Sequence, residues 1–335
     1  MQALTILRPG TAALTEKPVP MPGPGEVAID LAFVGYCGSD LTSYRGLNPL
    51  VSYPRVPGHE ISGTIAELGQ GVENLAPGTA VTVLPYFNCG TCRACRSGRV
   101  NACPHNQTMG VQREGAMTGR IVVPAAKVIA VTGISQRDLA LVEPCAVGFH
   151  AVRRAELTAG ETVVVLGCGM IGLGVILGAL RQGARVIAVD LSDAKLDVAK
   201  KLGAHEVINA STDVKAQVAE LTGEGPDVVV EAVGAEATFL QAVDLVATTG
   251  RVVYIGYAKS AIAYETKVFI TKELDIRGSR NALRSDFDDV IDELRKRPDA
   301  GDLIVTRTAT LDEAAEALAD WHARPGDFTK ILVKF

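Results

Sequence analysis

Four cysteines crowd into the stretch CGTCRACRSGRVNAC, at Cys89, Cys92, Cys95 and Cys103. Four thiolates at a CxxCxxC spacing, with the fourth one loop later, can enclose a single tetrahedral ion and leave no vertex for water or substrate. The spacing predicts a closed, structural zinc site whose binding energy becomes folding energy for an otherwise irregular lobe. An iron–sulfur cluster or a nucleic-acid zinc finger uses similar ligands. The first finds no other cluster support in the chain, and the second lacks a basic surface.

A second pattern points to phosphate. In TVVVLGCGMIGLGVILGALRQGARVIAVD a buried-type strand runs into Gly167-Cys168-Gly169-Met170-Ile171-Gly172, then a helix, then a strand ending at Asp190. Gly167 permits the tight turn, Gly169 lets backbone approach a pyrophosphate, and Gly172 lets the helix pack on the strand. The free N–H groups at the helix start, Met170 and Ile171 among them, and the positive end of its dipole face the phosphates. Asp190, about 20 residues on, accepts from the adenosine ribose hydroxyls and repels a 2′-phosphate. NAD is therefore expected over NADP, with Lys195 or Arg185 able to moderate the preference.

A third set is scattered: Cys37 in GYCGSD, His59 and Glu60 in PGHEISG, and Glu143 in LVEPCAVGFHA. Soft, borderline and hard ligands of this kind suit a zinc ion that keeps one position open for an oxygen ligand. Spacing alone does not bring them together. Taken singly, a cysteine is more often a small buried residue and a histidine a hydrogen-bonded scaffold residue.

The elements that must position these groups fall into two textures. Up to residue 150 the chain reads as short β-prone runs, such as EVAIDLAFVG, GTIAELG, TAVTVLPY and RIVVPAAKVIAV, between Gly and Pro punctuation, which is barrel-like material. From Glu161 strands alternate with helical patterns, the signature of a parallel sheet covered by helices. TVVVL, RVIAV, EVIN, DVVVEAV, RVVYIG and LDIRGS supply the strands of a full Rossmann sheet. SDFDDVIDELRKR and LDEAAEALADWHA read as helices, and the terminal KILVKF as a strand returning to the first domain. The expected class is α/β, with a discontinuous catalytic domain over 1–150 and 284–335 and a dinucleotide domain over 151–283.

Composition agrees and removes several functions. The chain has 335 residues, 47% hydrophobic and 21% charged, enough for two globular cores. A net charge of −5 with interleaved signs offers no basic stripe for nucleic acid or an anionic membrane. The apolar run from Met170 to Leu180 contains glycine and stops at Arg181, well short of a bilayer span. The opening MQALTILRPG lacks a secretion signal, so a cytoplasmic location is expected, and with it metal rather than disulfide chemistry for the seven cysteines.

Gly58-His59-Glu60 followed by Gly63, Gly69 and Val72, together with GYCGSD, the four-cysteine lobe and the Rossmann glycines in this order, resembles the zinc-containing medium-chain dehydrogenase/reductase family. The likeness runs over essentially the whole chain. It implies a GroES-like β-barrel catalytic domain beside the Rossmann domain, two zinc ions per chain, one catalytic and one structural, and NAD. It also implies that Cys37 and His59 ligate the catalytic zinc, with Glu60 or Glu143 as the third protein ligand, since these two exchange among sorbitol and threonine dehydrogenase-like members. The zinc would act as a Lewis acid on an alcohol while hydride passes to the nicotinamide.

By the same resemblance Ser39 stands at the hydroxyl relay position. Thr42 stands where many relatives carry a relay histidine. His150, Cys145 and Cys168 read as structural. Apart from the resemblance, Tyr36, Tyr44, Arg113, Glu114, Arg280 and Asn281 are candidate substrate contacts or, equally, surface or interface residues. SYPRVPGHE, GVQREGAM and GSRNA resemble polyol and sugar-acid dehydrogenases, the L-galactonate 5-dehydrogenase type in particular, whereas Gly119-Arg120 departs from a common Glu-aromatic pair. The implied partner is a small alcohol or polyol, with no nucleic acid or membrane, and the assembly a homodimer or homotetramer. An L-threonine-type amino-alcohol dehydrogenase and a catalytically silent dinucleotide-binding scaffold are the competing readings.

Overall fold

The computed structural model describes residues 1–335. By internal contacts the chain divides into two units, Met1–Glu143 with Leu294–Phe335, and Pro144–Glu293. The boundaries fall in the helices Val142–Ala155 and Arg284–Lys296, where the sequence reading drew them at 150/151 and 283/284. A buried network explains which way most of these helices belong. Asp286, fully buried, accepts hydrogen bonds from the His150 ring at 2.8 Å and the Arg153 guanidinium at 2.7 Å, all within the second unit. His150 is thus the structural residue expected of it.

The first unit is built on the alternating apolar run EVAIDLAFVG, which forms the strand Glu26–Gly35. That strand pairs antiparallel with Glu60–Leu68, Arg120–Pro124 and Lys330–Lys334. The full sheet has seven strands, in the order 305–310, 330–334, 26–35, 60–68, 80–83 and 128–130, with 120–124 also on 26–35. KILVKF does return to this unit, placing Leu332 opposite Gly35. The strand Val305–Thr310, parallel to it, and the hairpin of Gln2–Arg8 with Thr11–Glu16 escaped the sequence reading. Val27, Ile29, Leu31, Ile61, Ile65, Val81 and Ile331 form the core of this unit.

The second unit is a six-stranded parallel sheet. Its strands run in the order Glu206–Asn209, Arg185–Asp190, Thr162–Leu166, Val228–Glu231, Arg251–Tyr254 and Asp275–Gly278, which is the 3-2-1-4-5-6 Rossmann order. All six coincide with the runs read from sequence. Buried Val164, Ile187, Val189, Val229 and Val252 make its core. No helix is long and apolar enough to cross a membrane.

Candidate active site and metal centres

The four-cysteine lobe folds around its sulfurs. Cys92 Sγ lies 3.5 Å from Cys95 Sγ and 3.8 Å from Cys103 Sγ, and Cys103 Sγ lies 3.6 Å from Cys89 Sγ. Thiolates about 2.3 Å from a tetrahedral zinc stand about 3.8 Å apart, whereas a disulfide needs about 2.05 Å. The spacing fits an ion and not a bond. Backbone N–H groups of Cys92 and Cys95 point at the sulfurs of Cys89 and Cys92 at 3.4 and 3.5 Å. Hydrogen bonds from the Thr91 and Cys92 backbone hold the Cys89 thiol down at about 5. The Cys95 N–H alone would lower Cys92, but burial and the neighbouring sulfurs together carry it up to about 11. Adjacent thiols cannot all ionise unless a cation lies between them.

The scattered set converges. Cys37 follows the strand Glu26–Gly35 and caps the helix Gly38–Tyr44, while Glu60 opens the paired strand, opposite Gly35. Ligand atoms of Cys37, His59 and Glu60 lie within 4.8 Å of one another. Gly35 must be glycine here, since a Cβ would stand 2.0 Å from Glu60 Oε2. Gly58, at φ +97°, turns the chain so that His59 points inward. Asp40 ties the two ligand loops together: its buried carboxylate accepts from the Cys37 N–H at 2.9 Å and the Gly58 N–H at 3.2 Å. Glu143, in the first turn of Val142–Ala155, is buried and accepts the Tyr86 phenol hydrogen.

Charge is the main feature of this cluster. Burial pushes Glu60 up to about 7, with the Lys330 ammonium pulling it down and the Glu143 carboxylate adding to the rise. Burial alone would depress His59, but the Cys37 sulfur and the Glu143 and Asp40 carboxylates carry it well above its ordinary value. Buried Lys330 is likewise held up, against desolvation, by Glu60 and Cys37. Two glutamates, an aspartate and a thiol thus face one ammonium and one imidazole, a set with room for a further cation. His59 Nδ1 and Ser39 Oγ are buried with no partner in the protein. Thr42 donates instead to the Ser39 carbonyl at 2.9 Å.

In the second unit the glycine turn suits a dinucleotide. Gly167 sits at φ +97°, and a Cβ on Gly172 would lie 1.8 Å from the Gly167 carbonyl. At Gly169 the space beyond Cα is open, and the helix Met170–Arg181 starts there without a side-chain cap, leaving its N–H groups for an anion. Asp190 is fixed by the Cys168 N–H at 2.7 Å and the Ser192 N–H at 2.9 Å. Lys195 lies in the first turns of the following helix, Asp193–Lys201, near enough to act on the Cys168 thiol. Arg185 opens the strand that Asp190 closes and donates to the Leu221 carbonyl, so it does not reach the ribose end.

Other expectations need correction or support. Tyr36, expected as a substrate contact, is buried and donates to the Ala314 carbonyl at 2.9 Å. Tyr44 donates to the Gly10 carbonyl, and Glu114 accepts from the Val56 N–H at 3.0 Å. The two tyrosines are spent on the scaffold, while Glu114 is exposed beside Arg55. Arg113 lies 4.0 Å over the Phe87 ring, while Asn281 takes a left-handed φ of 50° in the second unit, beside exposed Arg280. Arg120 bridges Asp30 and Glu67 across three strands, which accounts for an arginine there. Cys145 is buried, and burial with Asp190 nearby pushes the Cys168 thiol up to about 12, so both pack rather than react.

Three residues of the cluster were missed. Asp40 had a signal, the C-x-x-D spacing of a helix-capping residue. Lys330 had a fainter one, a charge heading the apolar run ILV. Tyr86 had none, since its phenol gains meaning only once Glu143 lies beside it.

Comparisons with known proteins agree with this geometry. Residues 23–133 match the alcohol dehydrogenase GroES-like domain and residues 171–296 the zinc-binding dehydrogenase domain. The chain is 36% identical to L-galactonate-5-dehydrogenase of Escherichia coli K12, over 94% of each chain. It is 34% identical to a sorbitol dehydrogenase of Halalkalibacterium halodurans, covering 99% of both. A crystal structure described as a short chain alcohol dehydrogenase (rspB) from E. coli CFT073, complexed with NADH, superposes with a TM-score of 0.93 at 30% identity, covering 100% of this chain and 99% of that one.

Proposed function

Because the chain belongs to the zinc-containing medium-chain dehydrogenase/reductase family, and is thus a dehydrogenase, we propose that it oxidises a secondary alcohol of a polyol or sugar acid with NAD. The observation that carries this reading is the convergence of half-buried Cys37 with buried His59 and Glu60, with Glu143 in the same charge cluster. In this reading Cys37, His59 and one of the two glutamates hold a catalytic zinc, and Cys89, Cys92, Cys95 and Cys103 hold a structural one. When bound, the metal supplies Lewis acidity that lowers the pKa of the substrate hydroxyl, and the dinucleotide supplies the hydride acceptor.

The chain's own residues do the rest. Ser39 Oγ, unpartnered and two residues from Cys37, accepts the hydroxyl proton while its own hydrogen passes outward. Thr42 spends its hydrogen on the Ser39 carbonyl, so the proton that leaves Ser39 goes to water. Gly167, its N–H given to the Val189 carbonyl, makes the turn, and Gly169, Met170, Ile171 and Gly172 offer the pyrophosphate their backbone N–H groups. Asp190 accepts from the ribose hydroxyls and repels a 2′-phosphate, with Lys195 close by. The sugar-acid assignment draws on the relatives that act on L-galactonate and sorbitol. Assembly as a homodimer or homotetramer is part of the reading, supported by the exposed edge strand Asp275–Gly278.

A dinucleotide-reduction panel with L-galactonate, galactitol, sorbitol and L-threonine, run with and without a chelator, tests the proposal. Turnover of a hydroxylated acid or polyol that the chelator removes is the expected result. Turnover of L-threonine alone, or of none of the four, overturns it.

A further inference from the structure

Two buried carboxylates, Glu60 and Glu143, stand ready for one coordination position, and the protein holds them by opposite means. Lys330 Nζ lies 2.6 Å from each oxygen of Glu60 and 3.0 Å from the Tyr36 carbonyl. An ammonium has three hydrogens, so all are used and the Glu60 charge is cancelled where it stands. No cation is hydrogen-bonded to Glu143. Its single partner is neutral, the phenol of Tyr86, which donates to Oε1 and leaves Oε2 uncommitted.

We propose that Tyr86 is a positioning residue for the catalytic metal: by engaging Oε1 of Glu143 it presents Oε2 as the third protein ligand, while Lys330 withholds Glu60. This rests on the zinc reading given above. Proximity alone favours Glu60, whose oxygen lies within 4.8 Å of the Cys37 and His59 ligand atoms. Charge decides otherwise. One thiolate and one free carboxylate neutralise a divalent ion, and the Glu60–Lys330 pair is already neutral. With Glu60 as ligand, its oxygen would serve the ion and the ammonium together, whereas Glu143, bonded only by a neutral phenol, keeps a carboxylate oxygen for the ion alone. A neutral donor on Glu143 orients the carboxylate without competing for its charge.

The test compares wild type with Tyr86→Phe, Glu143→Gln, Glu60→Gln and the double variant Tyr86→Phe/Glu143→Gln. Metal content per chain is measured, with the rate of metal release to a chelator and the visible spectrum after cobalt exchange. Wild type is expected to hold two ions. Glu143→Gln should keep one, that of the cysteine lobe, and Glu60→Gln should keep both. Tyr86→Phe should release the catalytic ion at least about tenfold faster and shift the cobalt bands, with no further effect in the Glu143→Gln background. Should Tyr86→Phe not fold, the contrast between the two glutamine variants still decides.

Release and spectrum unchanged in Tyr86→Phe, or an ion lost from Glu60→Gln and kept by Glu143→Gln, overturns the assignment alone. A wild-type protein holding one ion per chain overturns the catalytic-zinc reading, and the assignment with it.

Discussion

The cysteine lobe and the buried Cys37–His59 cluster both gather metal-ligand side chains, yet they are made in contrasting ways. Cys89 and Cys103 are 14 positions apart, and exposed Cys89 is held by its own neighbours' backbone. Glu60 and Lys330 are 270 positions apart and meet only because the strand Lys330–Lys334 enters the sheet beside Glu26–Gly35. The first site is a property of a segment and the second of a tertiary structure. A local site leaves its mark in spacing, and a distributed one leaves it in charges that make no sense until the fold is known.

The sharpest test of this contrast pairs Cys37→Ala with Cys103→Ser. Cys37→Ala should lower turnover by on the order of 10³-fold or more, with an unfolding temperature close to wild type. Cys103→Ser should cost the lobe its ion and open residues 89–103 to protease while the second unit still binds dinucleotide. If Cys103→Ser instead unfolds the whole first unit in one transition, the lobe is not local and the contrast fails.

Next in size is Lys330→Met, which strands a buried carboxylate. Urea unfolding should show a loss of about 3–5 kcal/mol, much of it recovered in Lys330→Met/Glu60→Gln. No recovery would mean that Lys330 serves the sheet rather than the charge cluster.

A smaller effect is expected at the glycine turn, the second unit's local device. Gly172→Ala places a methyl 1.8 Å from the Gly167 carbonyl and should cost about 1–3 kcal/mol, together with weaker dinucleotide binding by fluorescence titration.

The smallest concerns the second unit's distributed device. Burial alone would raise the Asp286 pKa, but hydrogen bonds from His150, the Leu283 N–H and Arg153 hold it below the ordinary carboxylate value. A depressed folded pKa contributes stability above the unfolded value of about 3.9, and that contribution is lost as pH falls through the folded value. Below about pH 4 wild type should therefore lose stability more steeply than Asp286→Asn. Equal slopes in acid urea titrations would remove Asp286 from the account.

Legibility in the sequence followed the same division. TVVVL, RVIAV and the other Rossmann strands were plain, because strands buried on both faces are continuous apolar runs bounded by turns. VTRTAT was not, since half of its residues face solvent and it holds no apolar run of its own. The four cysteines and the glycine turn carry their geometry in their spacing. Cys37, His59, Glu60 and Glu143 came together through family resemblance alone. The same resemblance was silent on Tyr86, while the hydrogen bonds of buried Tyr36 and Tyr44 to the Ala314 and Gly10 carbonyls give two candidate contacts to the scaffold. Polar side chains near a site declare their work only through the partner they face.

The route by which Lys330 reaches Glu60 also sets a timetable for biosynthesis. Glu60 leaves the ribosome 270 residues before the lysine that neutralises it, and the whole second unit is translated in between. At about 5–20 residues per second that is a wait of roughly 15–50 seconds. During this time the nascent first unit carries an acidic, unfinished pocket while the later unit can already fold. The part of the enzyme that is made first is thus completed last.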